Sequence, residues 1–327
     1  MGMDLLTTDA NGLLAGFRDS MRPSMYFLTI VQIGGQMTRN LLRRAWPLAA
    51  LLAAFFLPVH SSFADTVQLK LDTGVIATAD FRPGKPSRPA ILLLHGFLQT
   101  RNVLPISPLA NTLADIGYTV LVPTLSLGIN QRAQSLDCEA PHLHTKEGDV
   151  AEIGHWTDWL ARKGYKSIVL VGHSSGSLEI LQYVSRNPNT AVKTAILTSI
   201  IPLRSVPEDV QKALASVKQG NAGGKLERYT LGYCKGNYVA PAADYLTYAV
   251  SDAGNTLDQF SKTRIPVEVI LGGADKAFGS TWPQKIRARN VSVTVIDGAT
   301  HFFDGMQEFD LSDNVESILA KLPAGHN

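Results

Sequence analysis

The residues best suited to chemistry in this sequence surround Ser174. The stretch Gly172–Gly176 reads G-x-S-x-G, follows the apolar run 167–171 and precedes a segment with helical character at 177–184. Glycines on both sides of the serine allow the sharp strand-to-helix turn that holds its Oγ clear of the backbone. The start of the following helix can stabilise negative charge beside it. The pattern therefore predicts a nucleophilic serine, and an ordinary Gly/Ser loop is the alternative.

A nucleophilic serine needs a base, and the base needs an orienting carboxylate. Asp275 follows a buried strand predicted at 266–271, and His301 follows a strand predicted at 291–296. Parallel strands place their carboxyl ends at one edge of a sheet, so these two residues and Ser174 can meet there. A single aspartate after a strand is usually a turn former, and a single histidine is usually structural. All three residues occur in this order at strand ends, which is much less expected by accident than any one of them.

A second turn after a strand could supply hydrogen-bond donors. The apolar run 90–94 is followed by His95-Gly96-Phe97, where the glycine lets the next amide face the site. On this interpretation the backbone N–H groups of Phe97 and Ser175 form an oxyanion hole. The alternative is a glycine that only ends a strand.

The turns around Phe97, Ser174, Asp275 and His301 resemble those of the α/β-hydrolase superfamily. The resemblance covers most of residues 66–323. It implies an α/β fold with a mostly parallel central sheet, helices on both faces and a small lid insert. It also implies that Ser174 is the nucleophile, Asp275 the orienting carboxylate and His301 the base, and it identifies no subfamily.

Two details near His301 keep alternatives open. Thr300 precedes it, where many members of the superfamily have glycine. Asp297 and Asp304 lie close to His301 in sequence and compete with Asp275 as the orienting carboxylate. Exchange of each aspartate for asparagine would distinguish them.

The reaction expected of this arrangement is hydrolysis of a small-molecule carboxylic ester through an acyl-enzyme, because alkoxides leave more easily than amines. A peptidase, a thioesterase or a perhydrolase would use the same three residues. A non-catalytic envelope binding protein with this fold is the hypothesis from another class. No cofactor and no metal are expected, although His142, His144 and Asp149 leave metal binding open as an alternative.

The composition limits the class of protein. The chain has 327 residues, 45% of them hydrophobic and 18% charged, and a formal net charge of +2. This is a globular composition with enough length for one large α/β domain. The balanced charge gives no indication of nucleic-acid binding, and the sequence leaves the oligomeric state open.

The N-terminal part of the sequence indicates export. Residues 37–64 combine a basic start, the apolar run 45–59 and a small-x-small site at Ser62-x-Ala64, which together are typical of a signal peptide. The apolar run is shorter than the ~20 residues that span a membrane, so an anchor is the alternative. The prediction is a periplasmic or secreted protein whose mature part, 65–327, has no stable membrane span. Residues 1–36 are then a doubtful extension of the reading frame.

Two cysteines, Cys138 and Cys234, fall in the predicted mature part, and in an exported chain an even count favours a disulfide. Two separate thiols are the alternative. Residues 203–263 interrupt the alternation of strands and helices, and an insert at this place in α/β-hydrolase-like chains usually caps the active site. Its tyrosines either line an acyl pocket or form the core of the lid: Tyr229, Tyr233, Tyr238, Tyr245 and Tyr248.

Hydrophobic periodicity predicts the remaining elements. Further strands are predicted at 66–71, 75–81, 118–122 and 194–199. Further helices are predicted at 107–116, 146–162, 207–219, 242–249 and 312–322.

Overall fold

The computed structural model describes residues 64–221 and 223–322. The predicted extension 1–36 and, apart from Ala64, the predicted signal peptide 37–64 lie outside the described residues. In the part of the chain that is described, no helix is long and apolar enough to cross a membrane.

An eight-stranded sheet forms the centre of the fold, in the order β1-β2-β4-β3-β5-β6-β9-β10. Its first two pairings, β1 with β2 and β2 with β4, are antiparallel, and all the others are parallel. The strands are β1 Asp65–Lys70, β2 Ile76–Arg82, β3 Ala90–Leu94, β4 Thr119–Thr124, β5 Ile168–His173, β6 Val192–Thr198, β9 Val267–Gly272 and β10 Ser292–Ile296. Two more strands, β7 Leu226–Leu231 and β8 Cys234–Pro241, form a separate antiparallel hairpin.

The helices connect the parallel strands or belong to the segment between β6 and β9, and the last one follows β10. They are α1 Ile106–Asp115, α2 Lys146–Arg162, α3 Ser175–Val184, α4 Pro207–Lys218, α5 Ala242–Ala249, α6 Ala253–Phe260, α7 Trp282–Arg287 and α8 Gln307–Leu319. The start of α2 has the features expected at the N-terminus of a helix. Thr145 caps it by accepting a hydrogen bond from the Gly148 N–H, and acidic residues occupy its first turn.

Strand β3 shows how the two faces of the sheet are covered. All five of its residues are buried, and alternate side chains enter different cores. Leu92 and Leu94 belong to the core that contains Trp156 of α2, whereas Ile91 and Leu93 belong to the other. Such continuous apolar strands are expected in a parallel sheet that is covered on both faces. The α/β-hydrolase fold predicted from the sequence is confirmed.

Several predicted boundaries are wrong. Strand β4 continues through Pro123 to Thr124, paired with β2, beyond the end predicted at residue 122. The last helix begins at Gln307 rather than 312 and ends at Leu319. Helices α6 and α7 were not predicted, because each is short and contributes few apolar residues to a helical pattern.

The β7–β8 hairpin lies within residues 203–263 and was also not predicted. Its alternation places Tyr229 and Leu231 of β7 in the core, together with Tyr238 and Ala240 of β8. A two-residue connection that begins with Gly232 is a recognisable hairpin turn. This alternation was therefore the signal that could have found it.

Candidate active site

Ser174 lies in a strained turn between β5 and α3, with φ of 55° and ψ of −120°. The flanking glycines permit this geometry. A Cβ on Gly172 would lie 2.7 Å from the Ser177 nitrogen, and a Cβ on Gly176 would lie 2.4 Å from the His95 oxygen. Any side chain at these two positions would displace backbone. Such a strained turn, at a half-buried serine, is what is expected for a positioned nucleophile.

Three side chains from different strand ends form a hydrogen-bonded triad. The Nε2 of His301 lies 2.9 Å from the Ser174 Oγ, and its Nδ1 lies 2.7 Å from an Asp275 carboxylate oxygen. The Asp275 side chain is only 1% exposed, and its other oxygen accepts the Ala277 N–H at 2.8 Å. An ionised carboxylate only accepts hydrogen bonds, so Nδ1 carries the proton and Nε2 is left to accept the serine proton.

The loops that carry Asp275 and His301 approach each other closely. A Cβ on Gly272, at the end of β9, would lie 2.4 Å from the carbonyl oxygens of Ala299 and Thr300. The Ser199 hydroxyl donates to the His301 carbonyl oxygen at 2.8 Å. These contacts fix the histidine loop against the ends of β6 and β9.

The two alternative carboxylates do not contact His301. Asp297 and Asp304 are exposed, and Asp304 accepts a hydrogen bond from the Thr300 hydroxyl. That hydrogen bond lowers the pKa of Asp304. The threonine that departs from the superfamily pattern therefore organises the turn after β10, and Asp275 is the carboxylate that the fold brings to the imidazole.

A second imidazole lies beside the triad. The His173 ring is fully buried, and its centroid lies 5.2 Å from that of His301. Burial, followed by the nearby His301, lowers the pKa of His173 well below its usual value. His173 is therefore neutral and adds no second positive charge next to His301.

The segment after β3 passes close to Ser174. A Cβ on Gly96 would lie 3.3 Å from the Ser174 Cβ. Phe97 follows, and Ser175 is the first residue of α3, where helix geometry leaves the N–H without an intrahelical partner. Neither of these two N–H groups donates to another of the described residues. Both are available beside the serine, where an oxyanion would need them.

His95 holds this segment in place. Its Nδ1 lies 2.8 Å from the Gly96 oxygen, and its Nε2 accepts the Leu125 N–H at 3.0 Å. Burial, together with the neighbouring Arg132, lowers the pKa of His95 to about 3. A neutral imidazole donates on one side and accepts on the other, as these two contacts require.

The triad opens into a cavity of about 480 Å³, a volume that suits a small organic ligand. Ser174 and His301 lie in its wall beside apolar, polar and cationic residues. The remaining lining residues are Phe97, Gln99, Ile201, Pro202, Leu203, Arg204, Gly232, Tyr233, Lys276, Ala277 and Phe302.

The tip of the β7–β8 hairpin forms part of this wall. The Tyr233 ring packs edge-on against Phe97, with centroids 5.5 Å apart, and its hydroxyl donates to the Phe97 carbonyl oxygen at 3.4 Å. Gly232 has φ of +59°, and a Cβ there would lie 3.1 Å from the Phe97 ring. Next along the chain, Cys234 forms a disulfide with Cys138, as predicted from the sequence. The hairpin tip is thus fixed against the proposed oxyanion segment.

The tyrosines of residues 203–263 divide into two groups. Tyr233 is 58% exposed and lines the cavity. The other four are buried, and Tyr229 stacks on Tyr245 with centroids 4.1 Å apart. Most of them therefore form core, and only one contributes to the pocket.

The sequence grouped His144 and Asp149 as possible metal ligands but gave no sign that Tyr248 joins them in a polar group, which we call the Tyr248 cluster: His144, Asp149 and Tyr248. The Tyr248 hydroxyl lies 2.6 Å from His144 Nδ1 and donates to Asp149. All three residues are buried. His142, also buried, stacks on Tyr238 nearby. The described residues contain no group of three or more His, Cys, Asp or Glu that could hold a metal ion.

Comparison with known proteins agrees with the fold. Residues 89–228 match a family model described as alpha/beta hydrolase fold. Est1E from Butyrivibrio proteoclasticus is 17% identical, with a TM-score of 0.56 over 78% of this chain and 98% of that one. A thioesterase domain from the curacin biosynthetic pathway is 17% identical, with a TM-score of 0.54 over 79% of this chain and 99% of that one.

An esterase from Pyrococcus furiosus is 15% identical, with a TM-score of 0.54 over 80% of this chain and 92% of that one. No curated protein sequence matches the chain. The family match and the structural neighbours confirm the predicted resemblance to the α/β-hydrolase superfamily in fold. They assign no subfamily.

Proposed function

We propose that this chain is a serine hydrolase that cleaves carboxylic esters through an acyl-enzyme. The observation that carries the proposal is the hydrogen-bonded triad of Ser174, His301 and Asp275 at the wall of a cavity. Such a geometry pairs a nucleophile with a base and orients the base with a buried carboxylate. The structural neighbours include an esterase and a thioesterase domain, which favours acyl chemistry.

In the proposed reaction the Ser174 Oγ attacks the ester carbonyl carbon while His301 Nε2 takes the hydroxyl proton. The N–H groups of Phe97 and Ser175 bind the tetrahedral oxyanion. His301 then gives its proton to the leaving alkoxide, and an acyl-enzyme remains on Ser174. Water attacks this acyl group with His301 as base, His301 then returns the proton to the departing Ser174 Oγ, and the acid is released.

Asp275 acts through His301 in both halves of this cycle. Its buried carboxylate keeps the Nδ1 proton in place and stabilises the imidazolium that forms when Nε2 is protonated. The neutral state of His173 matters for the same reason, because a second charge 5.2 Å away would oppose formation of that imidazolium.

We also propose that the enzyme is exported and works in a periplasmic or extracellular compartment. The Cys138–Cys234 disulfide supports an oxidising environment, and the pattern at 37–64 supports a cleaved signal peptide. Residues 203–263 would then act as a lid on the mature domain, 65–327. N-terminal sequencing of protein from an export-competent host should find Asp65 first, and retention of Met1 or Met37 would contradict the proposal.

The decisive experiment combines turnover with covalent labelling. Purified protein should hydrolyse p-nitrophenyl esters, and a fluorophosphonate probe should label Ser174 and no other residue. Peptide p-nitroanilides and thioesters in parallel test the peptidase and thioesterase alternatives. A protein that neither turns over esters nor reacts with the probe would favour a non-catalytic binding role for this fold.

A further inference from the structure

Two cationic residues line the cavity from different parts of the fold. Arg204 lies in the loop after β6, and Lys276 follows Asp275 in the loop after β9. Both residues are exposed. Among the described residues that form the cavity wall there is no aspartate and no glutamate. The formal charges carried by the lining side chains are therefore both positive, and the nearby Asp275 carboxylate is engaged with His301.

Some other cations among the described residues have acidic partners. Lys212 and Lys225 both pair with Glu227, at 3.3 and 2.9 Å, and Arg101 pairs with Asp80 at 2.9 Å.

Within the described part of the chain, the side chains of Arg204 and Lys276 make no ion pair. The formal net charge of the whole chain is only +2, so these two cations are not part of a generally basic protein. Their position at the cavity calls for a specific reason.

An anionic substrate would provide that reason. Positive side chains in the apolar wall of a cleft concentrate their electrostatic field there and raise the local concentration of anions. Arginine and lysine bind carboxylates through charge-assisted hydrogen bonds. The rest of the wall, including Ile201, Leu203 and Phe302, suits the hydrocarbon part of the same molecule.

We propose that this cavity selects esters that carry a free carboxylate, with Arg204 and Lys276 as the residues that recognise it. The inference rests on the proposed ester hydrolysis and specifies its substrate class. The carboxylate belongs to the acyl part or to the alcohol part of the ester, and two matched substrate pairs distinguish these.

The first pair compares the mono-4-nitrophenyl ester of glutaric acid with 4-nitrophenyl pentanoate. The second compares 3-acetoxybenzoate with phenyl acetate. In at least one pair, the anionic ester should have the higher kcat/KM. The ratio of kcat/KM for the anionic ester to that for the neutral ester should fall as salt is added, because screening weakens attraction between exposed charges. Equal values of kcat/KM within both pairs at low salt would overturn the inference.

The variants Arg204→Gln and Lys276→Gln test the assignment of residues. Each should lower kcat/KM for the anionic ester about two- to fivefold, which is the range of a partly exposed ion pair, and the double variant should lose the preference. The readout is the ratio of kcat/KM for the anionic ester to kcat/KM for its neutral partner, because a disturbance of the neighbouring Asp275 would lower both values together and leave their ratio unchanged. Lys193→Gln is the matched control, because it removes the same charge from the start of β6.

The outcomes separate this inference from the proposed function. A neutral ester hydrolysed in a Ser174-dependent way, with no preference for its anionic partner, would overturn the carboxylate site alone. A preference that survives in the double variant would also overturn it. No Ser174-dependent hydrolysis of any of the four esters would overturn both.

Discussion

The molecule contains two groups that each combine a hydroxyl, an imidazole and a carboxylate. In the triad, the imidazole of His301 lies between the Ser174 hydroxyl and its carboxylate, and both ring nitrogens are used. In the Tyr248 cluster the hydroxyl hydrogen-bonds both the imidazole and the carboxylate, and His144 Nδ1 also lies 3.5 Å from Asp149. The Nε2 of His144 has no hydrogen-bond partner among the described residues. The same functional groups are thus joined in a different order.

Access differs as much as order does. The triad opens into a cavity of about 480 Å³, whereas the Tyr248 cluster borders one of about 10 Å³, room for a single water. Burial and the nearby Asp149 raise the pKa of Tyr248 well above its usual value, so this hydroxyl keeps its proton. The triad places a base between the hydroxyl and the carboxylate and leaves space for a reactant, as a catalytic site requires. The Tyr248 cluster has no such space, and its hydrogen bonds join helix α5 to helix α2.

The largest expected effect is a loss of turnover when the hydroxyl of the triad is removed. Ser174→Ala should lower turnover on the order of 10⁴-fold or more, because only the oxyanion hole and substrate binding remain. Initial rates with a p-nitrophenyl ester measure this, and the melting temperature should stay close to that of the wild type. A variant that keeps a tenth of the activity would contradict the assignment.

Asp275→Asn tests the order of groups within the triad. The amide can donate to Nδ1 and so favour the wrong tautomer, and turnover should fall on the order of 10⁴-fold. The matched control is Asp304→Asn, at an aspartate that lies close to His301 in sequence and accepts a hydrogen bond from Thr300. A severe loss in the control together with a mild loss in Asp275→Asn would show that the carboxylate is misassigned.

For residues 203–263, the expected effects are on stability rather than on chemistry. The Cys138–Cys234 disulfide closes a loop with a sequence separation of 96 residues. On the chain-entropy model such a loop is worth about 4–5 kcal/mol, and strain commonly reduces this. Reduction should therefore lower the melting temperature and loosen selectivity among esters, while turnover of a small ester changes little.

Calorimetry with and without reductant measures the effect of the disulfide. The variant Cys138→Ser/Cys234→Ser is the control, because reductant should leave its melting temperature unchanged. Two free thiols in the denatured, unreduced protein would contradict the disulfide itself.

Tyr248→Phe tests whether the buried cluster is structural. It removes the hydroxyl that donates to the buried Asp149 and leaves that carboxylate one partner short. Loss of a partner to a buried polar group costs about 1–3 kcal/mol of unfolding free energy. Chemical denaturation measures this, and kcat should change by less than about threefold. A large fall in kcat with unchanged stability would give the cluster a catalytic role.

Residues of the triad could be predicted from the sequence because each follows a strand whose apolar run is continuous. Ser174 also lies between two glycines, which are required because backbone atoms of Ser177 and His95 approach them closely. The parallel sheet then brings distant residues to one edge by a general rule, so local patterns were sufficient.

The Tyr248 cluster could not be found in this way. His144 and Asp149 lie in the loop before α2 and in α2 itself, about a hundred residues from Tyr248 in α5. No sheet rule relates these elements, and a buried tyrosine in a polar network has the same local pattern as one in an apolar core. The sequence left the lid tyrosines open between pocket and core because only tertiary packing distinguishes them.

The smallest expected effect joins the two regions, because Tyr233 of the lid hairpin contacts Phe97 of the proposed oxyanion hole. Tyr233→Phe keeps the ring packing and removes only the long hydrogen bond to the Phe97 carbonyl oxygen, 3.4 Å. The Phe97 N–H acts on the tetrahedral intermediate, so a less well fixed segment should lower kcat about two- to fivefold and leave KM nearly unchanged. Tyr165→Phe is the matched control, because its hydroxyl contacts Thr119 at the start of β4. A change in KM alone, or an equal fall in kcat for the control, would show that the hairpin shapes the pocket without positioning the oxyanion hole.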